Sequence, residues 1–231
     1  MIVKINGTDY AFKTSFYELT FAEYLPMLLA AEKPAMERLS IYTGIAVDLL
    51  SQLQLQYLAY LTDATAFAEN TDILNALAQP YDGTYVGLET FGKMETAKRR
   101  LKDKTILEAI PEIVKVYTGR DISNEPLCDV WHLAMFYVNS VSTFFNRYRR
   151  LSEHTYSDEE LEAGVEIFEG FGHFTTVVKI GRERGLTNDE VLNLSAEEVY
   201  MELLLDFERT EFEKNLHRIY KEREEHFAKV R

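Results

Sequence analysis

From Ser15 to the end of the chain, apolar residues recur at intervals of three and four. This spacing gathers apolar side chains on one face of an α-helix, so it predicts helices over most of the sequence. Ser or Thr followed three residues later by Glu marks a helix start. Five such pairs occur: Ser15/Glu18, Thr20/Glu23, Ser157/Glu160, Thr187/Glu190 and Ser195/Glu198. We therefore predict a mainly α fold.

The first twelve residues do not follow the helical pattern. Two short runs of β-prone residues flank Asn6-Gly7. This dipeptide readily adopts the positive φ angles of a type I′ turn. The sequence therefore predicts one short β-hairpin at the N-terminus.

Gly, Pro and polar stretches divide the remaining residues into predicted helices. These span residues 20–31, 35–42, 47–70, 71–78, 87–103, 106–117, 127–151, 158–184, 188–194 and 196–228. The expected architecture is a helical bundle of repeated helical hairpins. It begins with the short N-terminal β-hairpin and ends in one long C-terminal helix.

A weak internal repeat underlies the expected hairpins. Residues 37–44 match residues 112–119 at an offset of 75, and both segments end in Tyr-Thr-Gly. The apolar positions between Leu50 and Phe67 then align with those between Leu127 and Phe144 at an offset of 77. Because Gly is favoured just beyond a helix end, each copy is expected to be a helix, a Gly stop and a long helix. Chance similarity between two amphipathic hairpins is the alternative.

The distribution of charge divides the chain into two parts. Its 231 residues include 25 Lys or Arg and 38 Asp or Glu, for a net charge of −13. Residues 1–151 hold 15 basic and 18 acidic side chains (net −3), whereas residues 152–231 hold 10 and 20 (net −10). We therefore expect an N-terminal domain over residues 1–151, made of the hairpin and the duplicated helical unit. An acidic C-terminal helical region is expected over residues 152–231.

Composition also argues against several partners and compartments. A net negative charge disfavours nucleic acid and anionic membrane surfaces. No segment approaches the roughly 18 consecutive apolar residues of a membrane span. Cys128 is the one cysteine, which allows no intramolecular disulfide, and the N-terminus lacks the pattern of a signal peptide. The expected compartment is a reducing cell interior.

Two short motifs could carry chemistry, and both are incomplete. Gly87 to Lys93 fits the phosphate-binding spacing G-x-x-x-x-G-K, but Met94 stands where Ser or Thr should hold magnesium. Cys128 and His132 lie four residues apart, as a thiolate–imidazole pair would on a helix. Their apolar neighbours favour a buried helix in which Cys packs as a small hydrophobe. A hydrolase or nucleotide-binding enzyme is therefore the least favoured hypothesis.

Metal ligands are not indicated either. Glu169/His173 and Glu213/His217 are pairs spaced by four residues, a spacing more typical of exposed side chains on a solvated helix face. We therefore predict no catalytic residues, no metal and no cofactor.

Two clusters are candidate partner surfaces. The basic cluster consists of Lys93, Lys98, Arg99, Arg100, Lys102 and Lys104. It is either a solvated helix face or a dock, for an acidic partner or for the acidic C-terminal part of this chain itself. The aromatic cluster consists of Phe168, Phe171 and Phe174 and is either hydrophobic filler or a partner groove. Nearby glycines at 164, 170, 172 and 181 predict either a helix break near Phe171 or close approach of another backbone.

The final helix is unusually long for a compact domain. Its apolar stripe consists of Val199, Leu203, Phe207, Phe212, Leu216, Ile219 and Phe227. The distal members continue about 30 Å along the axis, at 1.5 Å per residue, beyond where a domain of this size readily covers them. We therefore predict that Phe212, Leu216, Ile219 and Phe227 form an interface, with Phe168 and Phe171 as further partner-binding residues.

The order of these parts resembles the tail assembly chaperones of tailed bacteriophages. The likeness at the N-terminus rests on the Asn6-Gly7 hairpin, Glu18-Leu19-Thr20, Glu23-Tyr24 and a helix ending Ile41-Tyr42-Thr43-Gly44. At the C-terminus it rests on Phe171-Gly172-His173-Phe174, residues 186–194, residues 199–203 and Glu208. Related proteins include small factors that assist assembly of the baseplate hub. Members of the chaperone family are non-enzymatic helical proteins that coat the tape-measure protein until tail-tube subunits replace them.

The resemblance implies a non-enzymatic bacteriophage morphogenesis protein that binds a tape-measure, tail-tube or baseplate hub protein. It implies work in the host cytoplasm during assembly. A permanent structural component of the virion, such as a tail, neck or baseplate subunit, is the alternative. Neither nucleic acid nor membrane is an expected partner, and a homo-oligomer is one of the expected assemblies.

Overall fold

A computed structural model describes residues 1–78, 81–152 and 158–230. Some side chains within these ranges lie outside this description, including those of Phe168, Glu169 and Phe227. The described residues form twelve α-helices and one antiparallel hairpin, so the predicted mainly α fold is confirmed. Ser157, the first residue of a predicted helix-start pair, lies outside the described residues.

The N-terminal hairpin forms as predicted. Strands β1 (Ile2–Ile5) and β2 (Thr8–Ala11) pair antiparallel, with Ile2 opposite Ala11. The turn residues have positive φ angles, 50° at Asn6 and 85° at Gly7. Asn tolerates this region and Gly adopts it freely, so the local sequence sets the register of the hairpin.

The helices are numbered in chain order. They are α1 (Phe21–Leu29), α2 (Ala35–Thr43), α3 (Val47–Leu50), α4 (Leu55–Thr65), α5 (Thr71–Leu77), α6 (Phe91–Arg100), α7 (Ile110–Thr118), α8 (Leu127–Arg147), α9 (Asp158–Glu162), α10 (Phe174–Arg184), α11 (Asn188–Asn193) and α12 (Ala196–Val230). Short 3₁₀ turns span Phe16–Glu18, Ala66–Glu69, Val86–Leu88, Arg149–Leu151 and Val165–Phe171.

Two of the long helices predicted from the sequence are interrupted in the structure, so these two predictions are wrong. The span 47–70 is divided into α3, α4 and a 3₁₀ turn, because the chain turns after the fully buried Leu50. This turn allows Leu61 of α4 to enter the same apolar cluster as Leu50, Ile5 and Phe12. Burial in tertiary structure therefore overrides a continuous helical pattern.

The predicted helix over residues 158–184 is likewise broken into α9, a 3₁₀ turn and α10. Gly164 and Gly172 interrupt it with φ angles of 81° and 50°. Gly181, in contrast, lies inside α10, where an added Cβ would come within 2.9 Å of the Leu186 carbonyl oxygen. Both predicted roles of these glycines, a break and a close backbone approach, therefore occur.

The chain divides into two compact units. The first comprises residues 1–84 and 96–140, and the second comprises residues 85–95 and 141–231. This division differs from the charge step after Leu151, and residues 85–95 belong with the C-terminal part of the chain. Helices α6 and α8 each contribute residues to both units.

The first unit has two apolar centres. The hairpin packs on α2, α3 and α4 through Ile5, Phe12, Leu39, Ile45, Leu50 and Leu61. A chain of edge-on aromatic contacts links Phe16 to Tyr24 and Tyr24 to Trp131, with ring centroids 5.5 and 5.8 Å apart. The Trp131 indole N–H donates to Asn75 Oδ1 at 2.6 Å, so the buried ring keeps a polar partner.

The second unit is centred on aromatic rings from three parts of the chain. Phe91, Phe144, Tyr148 and Tyr200 are all nearly or fully buried. The Tyr200 ring lies 4.9 Å from that of Phe144 and 5.3 Å from that of Tyr148. Its hydroxyl donates to the buried Glu95 carboxylate at 2.9 Å. This core holds the first turns of α12.

The same main-chain clasp occurs once in each unit. In the first, Phe21 N–H donates to Glu125 O (3.1 Å) and Leu127 N–H to Leu19 O (2.9 Å). In the second, Phe91 N–H donates to Leu194 O and Ala196 N–H to Glu89 O, both at 2.8 Å. Each clasp joins the start of a short helix, α1 or α6, to the start of a long one, α8 or α12.

The internal repeat is matched at the ends of α2 and α7. Gly44 and Gly119 follow these helices with left-handed φ angles of 71° and 74°. The preceding Thr43 and Thr118 hydroxyls each donate to the carbonyl four residues back, at 2.7 Å. Downstream the copies differ, because Leu50 ends α3 whereas Leu127 begins α8.

Candidate docking surfaces

Helix α12 carries apolar residues on two opposite faces. At about 100° per residue, Phe212 lies nine residues and therefore half a turn beyond Leu203 around the helix axis. Val199, Leu203 and Phe207 face the second unit, where Val199 is fully buried and the other two are half-buried. The prediction of one continuous stripe is therefore wrong, because Phe212, Leu216 and Ile219 lie on the side of the helix opposite to Val199, Leu203 and Phe207.

The opposite side, which we call the α12 outer face, consists of Met201, Leu205, Phe212, Leu216 and Ile219. These residues lie within about 60° of one another around the axis. Met201 is 51% exposed, Leu205 58% and Phe212 64%, while Ile219 is 38% exposed and Leu216 half-buried. The structure therefore brings three predicted interface residues together and adds Met201 and Leu205. The side chain of Phe227 lies outside the described residues.

Ion pairs join α12 to the rest of the second unit at several points around the helix. Arg184 pairs with Glu198 and Glu202, Lys179 with Asp206, and Arg150 with Glu208. Further along, Lys214 Nζ lies 3.2 Å from Glu160 Oε1. Each exposed pair contributes less than about 1 kcal/mol, so these contacts orient the helix more than they stabilise it.

A second apolar surface follows α10. The α10 groove is lined by Phe171, Phe174, Thr175, Val178, Lys179, Arg182 and Glu183 and encloses about 480 Å³. The two aromatic rings that line it are half exposed, with Phe171 at 55% and Phe174 at 51%. Val177 and Ile180, on the other side of α10, are buried. Of the two alternatives for the aromatic cluster, this geometry matches a groove for Phe171 and Phe174, whereas the side chain of Phe168 is outside the described residues.

Charged groups at both surfaces remain available for pairing. Arg182 and Glu183 at the groove are exposed and have no ion-pair partner within residues 1–78, 81–152 and 158–230. The same holds for Arg209 and Glu213, which flank Phe212 on α12. Among the described residues, the α10 groove therefore offers one unpaired cation and one unpaired anion, and Arg209 lies beside the α12 outer face.

The Gly87–Lys93 segment is built for packing. It forms a 3₁₀ turn and the first turn of α6, and Lys93 Nζ lies 2.9 Å from Glu89 Oε2. An added Cβ at Gly87 would come within 2.5 Å of the Tyr85 ring and 2.6 Å of the Glu197 carboxylate. Gly87 is thus needed because these two side chains pack against its backbone and leave no room for a Cβ. The lysine already has a carboxylate partner.

Cys128 lies in the buried part of α8, with an exposed fraction of 7%. Burial, with a smaller effect of Asp129, raises the pKa of the Cys128 thiol. A raised pKa favours the thiol over the nucleophilic thiolate. The geometry therefore matches the packing interpretation of Cys128 and His132.

The remaining clusters are the candidate metal ligands and the basic cluster. In the described part of the chain, no group of three or more His, Cys, Asp or Glu side chains is arranged to hold a metal. From the basic cluster, Arg100 and Lys104 both pair with Glu112, while Lys98, Arg99 and Lys102 are exposed. This matches a largely solvated helix face.

Comparison with protein-family models, curated protein sequences and solved structures finds no match for this chain. Among the described residues, no helix combines the length and apolar character needed to cross a membrane. The functional inference therefore rests on the two docking surfaces.

Proposed function

We propose that this protein is a non-enzymatic bacteriophage morphogenesis factor that binds another viral protein, a tape-measure, tail-tube or hub component, during tail assembly. The observation that carries the proposal is the α12 outer face. It combines apolar side chains, most of them exposed, over the 19 residues from Met201 to Ile219 with a helix long enough to present them in one line. A contiguous exposed apolar strip is typical of a protein–protein contact surface.

The spacing of the outer face favours a helical partner. Leu205, Phe212 and Ile219 recur every seven residues, and Leu216 fills the gap between the last two. A second helix packing along α12 would meet one of these side chains about every 10 Å. Such helix-on-helix recognition supports binding to a predominantly helical viral protein.

The proposal is tested by coexpression with the tape-measure or hub protein of the same genome. We expect a stable complex and a gain in soluble partner. Phe212→Glu should abolish both, because it places a charge in the centre of the outer face. The matched control is Tyr57→Glu on α4, where the side chain is also exposed, at 53%. The absence of any complex with either viral protein would contradict the chaperone proposal.

Mass spectrometry of purified phage particles separates the two versions of this function. A chaperone leaves before the tail is complete, so its peptides should be absent from the particles. Their presence at stoichiometric levels would identify a permanent virion component instead.

A further inference from the structure

A narrow cleft in the first unit lies between α2 and α4. Arg38, Leu39 and Tyr42 of α2 line one wall, and Thr62, Thr65 and Glu69, from α4 and the 3₁₀ turn after it, line the other. The cleft encloses about 100 Å³. This volume is below the range of small-molecule and cofactor sites, about 300–1,000 Å³. It corresponds to about three water molecules, at roughly 30 Å³ each.

The Tyr42 hydroxyl is the group at this cleft that requires a partner. Tyr42 is only 5% exposed, and no other described residue forms a hydrogen bond with its hydroxyl. Burial, and after it the negative charge of Glu69, raise the pKa of this hydroxyl, whereas the Arg38 guanidinium lowers it. The hydroxyl therefore lies where both charges reach it, at the cleft that the three residues line. Buried polar groups in native proteins are nearly always paired, with protein or with ordered water.

The cleft favours a neutral occupant that both donates and accepts hydrogen bonds. Thr62 Oγ1 and Thr65 Oγ1 each donate to the carbonyl four residues back, at 2.9 Å. Because a hydroxyl has one proton, both threonine oxygens can only accept further bonds, so they disfavour an anion. Arg38 Nε lies 2.9 Å from Glu69 Oε1, which neutralises the carboxylate. Too few free oxygen ligands then remain for a metal cation.

We propose that this cleft is an internal hydration site, in which ordered water joins the Tyr42 hydroxyl to Thr65 Oγ1 and to the ion pair of Arg38 with Glu69. A water that accepts from Tyr42 Oη keeps both of its protons. It donates one to Thr65 Oγ1 and the other to the Glu69 carboxylate or to a second water. Such a water makes about three hydrogen bonds, as buried waters usually do.

A crystal structure of the full chain at high resolution tests the site directly. We expect solvent density within hydrogen-bond distance, about 2.6–3.2 Å, of both Tyr42 Oη and Thr65 Oγ1. Xenon gives the opposite test, because it enters dry apolar cavities and a hydrated polar cleft should exclude it. Xenon bound in the cleft of pressurised crystals would overturn the inference, and so would a Tyr42 hydroxyl without solvent density beside it.

Removal of the hydroxyl measures what the water contributes. Tyr42→Phe keeps the ring, so the variant should fold, and it should lose the solvent density beside position 42. We expect the folding equilibrium constant, measured by urea unfolding, to fall about fivefold. Tyr57→Phe is the matched control, because its side chain on α4 is 53% exposed and should change the constant less than about twofold. A Tyr42→Phe variant as stable as the wild type would contradict the site.

A shared water also predicts coupling between two hydroxyls that form no hydrogen bond with each other. Tyr42→Phe and Thr65→Val each leave the same water without one partner, so the double variant should lose less than the two single losses combined. We expect a coupling of about threefold in the folding equilibrium constant. Tyr57→Phe combined with Thr65→Val should show none. Independent effects of Tyr42→Phe and Thr65→Val would exclude a water common to both.

This inference goes beyond the proposed function and does not depend on it. The cleft lies in the first unit, whereas the proposed function rests on the α12 outer face of the second. Phe212→Glu should therefore leave the solvent density beside Tyr42 in place. A hydrated cleft in a protein that binds no viral partner would keep the inference and remove the function.

Discussion

At the scale of single residues, the same amino acid has opposite roles at different positions. Gly164 and Gly172 are needed for positive φ angles, whereas Gly181 sits in a regular helix and is needed for space. There the backbone of Leu186 turns back against α10, and Leu186 N–H donates to Gly181 O at 2.9 Å. A side chain at position 181 would push the two segments apart.

We therefore expect Gly181→Ala to destabilise the protein by about 1–2 kcal/mol, although Ala normally favours a helix over Gly. Its Cβ would lie 2.9 Å from a backbone carbonyl oxygen that cannot swing away. Gly170→Ala is the matched control, because nothing lies within 4 Å of that Cβ. Urea unfolding measures both. Equal midpoints for the two variants would contradict the steric account.

Buried tyrosines make stability depend on alkaline pH. Burial is the main cause that raises the pKa of Tyr24 from 10.0 to about 12, and it does the same for Tyr148. Below pH 10 both hydroxyls are protonated in the folded and unfolded chain. Between pH 10 and 12 only the unfolded chain ionises, so stability should fall as pH rises through this range. Tyr24→Phe should make this loss shallower when unfolding is measured at several alkaline pH values.

At the scale of helices, the two clasps differ in how their short helix begins. Thr20 and Glu23 form a complete capping box: Thr20 Oγ1 accepts from Glu23 N–H and the Glu23 carboxylate accepts from Thr20 N–H. Three residues after Thr90 the chain has Lys93. Its ammonium group cannot accept a hydrogen bond from Thr90 N–H as the Glu23 carboxylate accepts one from Thr20 N–H. The N-terminus of α1 is therefore better satisfied than that of α6.

The difference predicts unequal costs for one substitution. Thr20→Ala should destabilise the protein by about 1 kcal/mol, since it removes the acceptor of the capping box. Thr90→Ala should cost less, about 0.5 kcal/mol, because the Thr90 and Thr20 hydroxyls both lie 3.4 Å from the backbone N three residues on, but Lys93 returns no bond to Thr90 N–H. Thermal unfolding followed by circular dichroism gives both values. A larger loss for Thr90→Ala would mean that capping does not set the strength of the clasp.

Local signals predicted elements better than surfaces. The Asn6-Gly7 turn and the Thr20 and Thr187 boxes follow from neighbouring residues, and all three are present. The α12 outer face was only half found, because Met201 and Leu205 are adjacent in sequence to the inner stripe and separate from it only around the helix. The α10 groove depends on where the helix starts after Gly172, which the sequence does not specify. No sequence pattern singles out Arg182 as a residue of this groove.

At the scale of the whole molecule, the chain ends in a helix that is buried on one side only near its start. Among the side chains of α12 that the structure describes, the buried ones end at Tyr200, and the partly buried residues become sparse after Glu208. Beyond Arg209, the ion pair of Lys214 with Glu160 is the described salt bridge that joins α12 to another helix. Little folding free energy therefore depends on the distal half of α12.

Truncation after Arg209 separates folding from association. It removes Phe212, Leu216 and Ile219, but it keeps Val199, Tyr200 and the ion pairs of Glu202, Asp206 and Glu208. We expect the shortened chain to remain helical, with a thermal midpoint within a few degrees of the full chain, because it loses less than about 1 kcal/mol of packing and exposed pairing. It should no longer capture the viral partner. Unfolding of the shortened chain would instead place the distal half of α12 in the intramolecular core, and the proposed docking of a viral protein on the α12 outer face would then not stand.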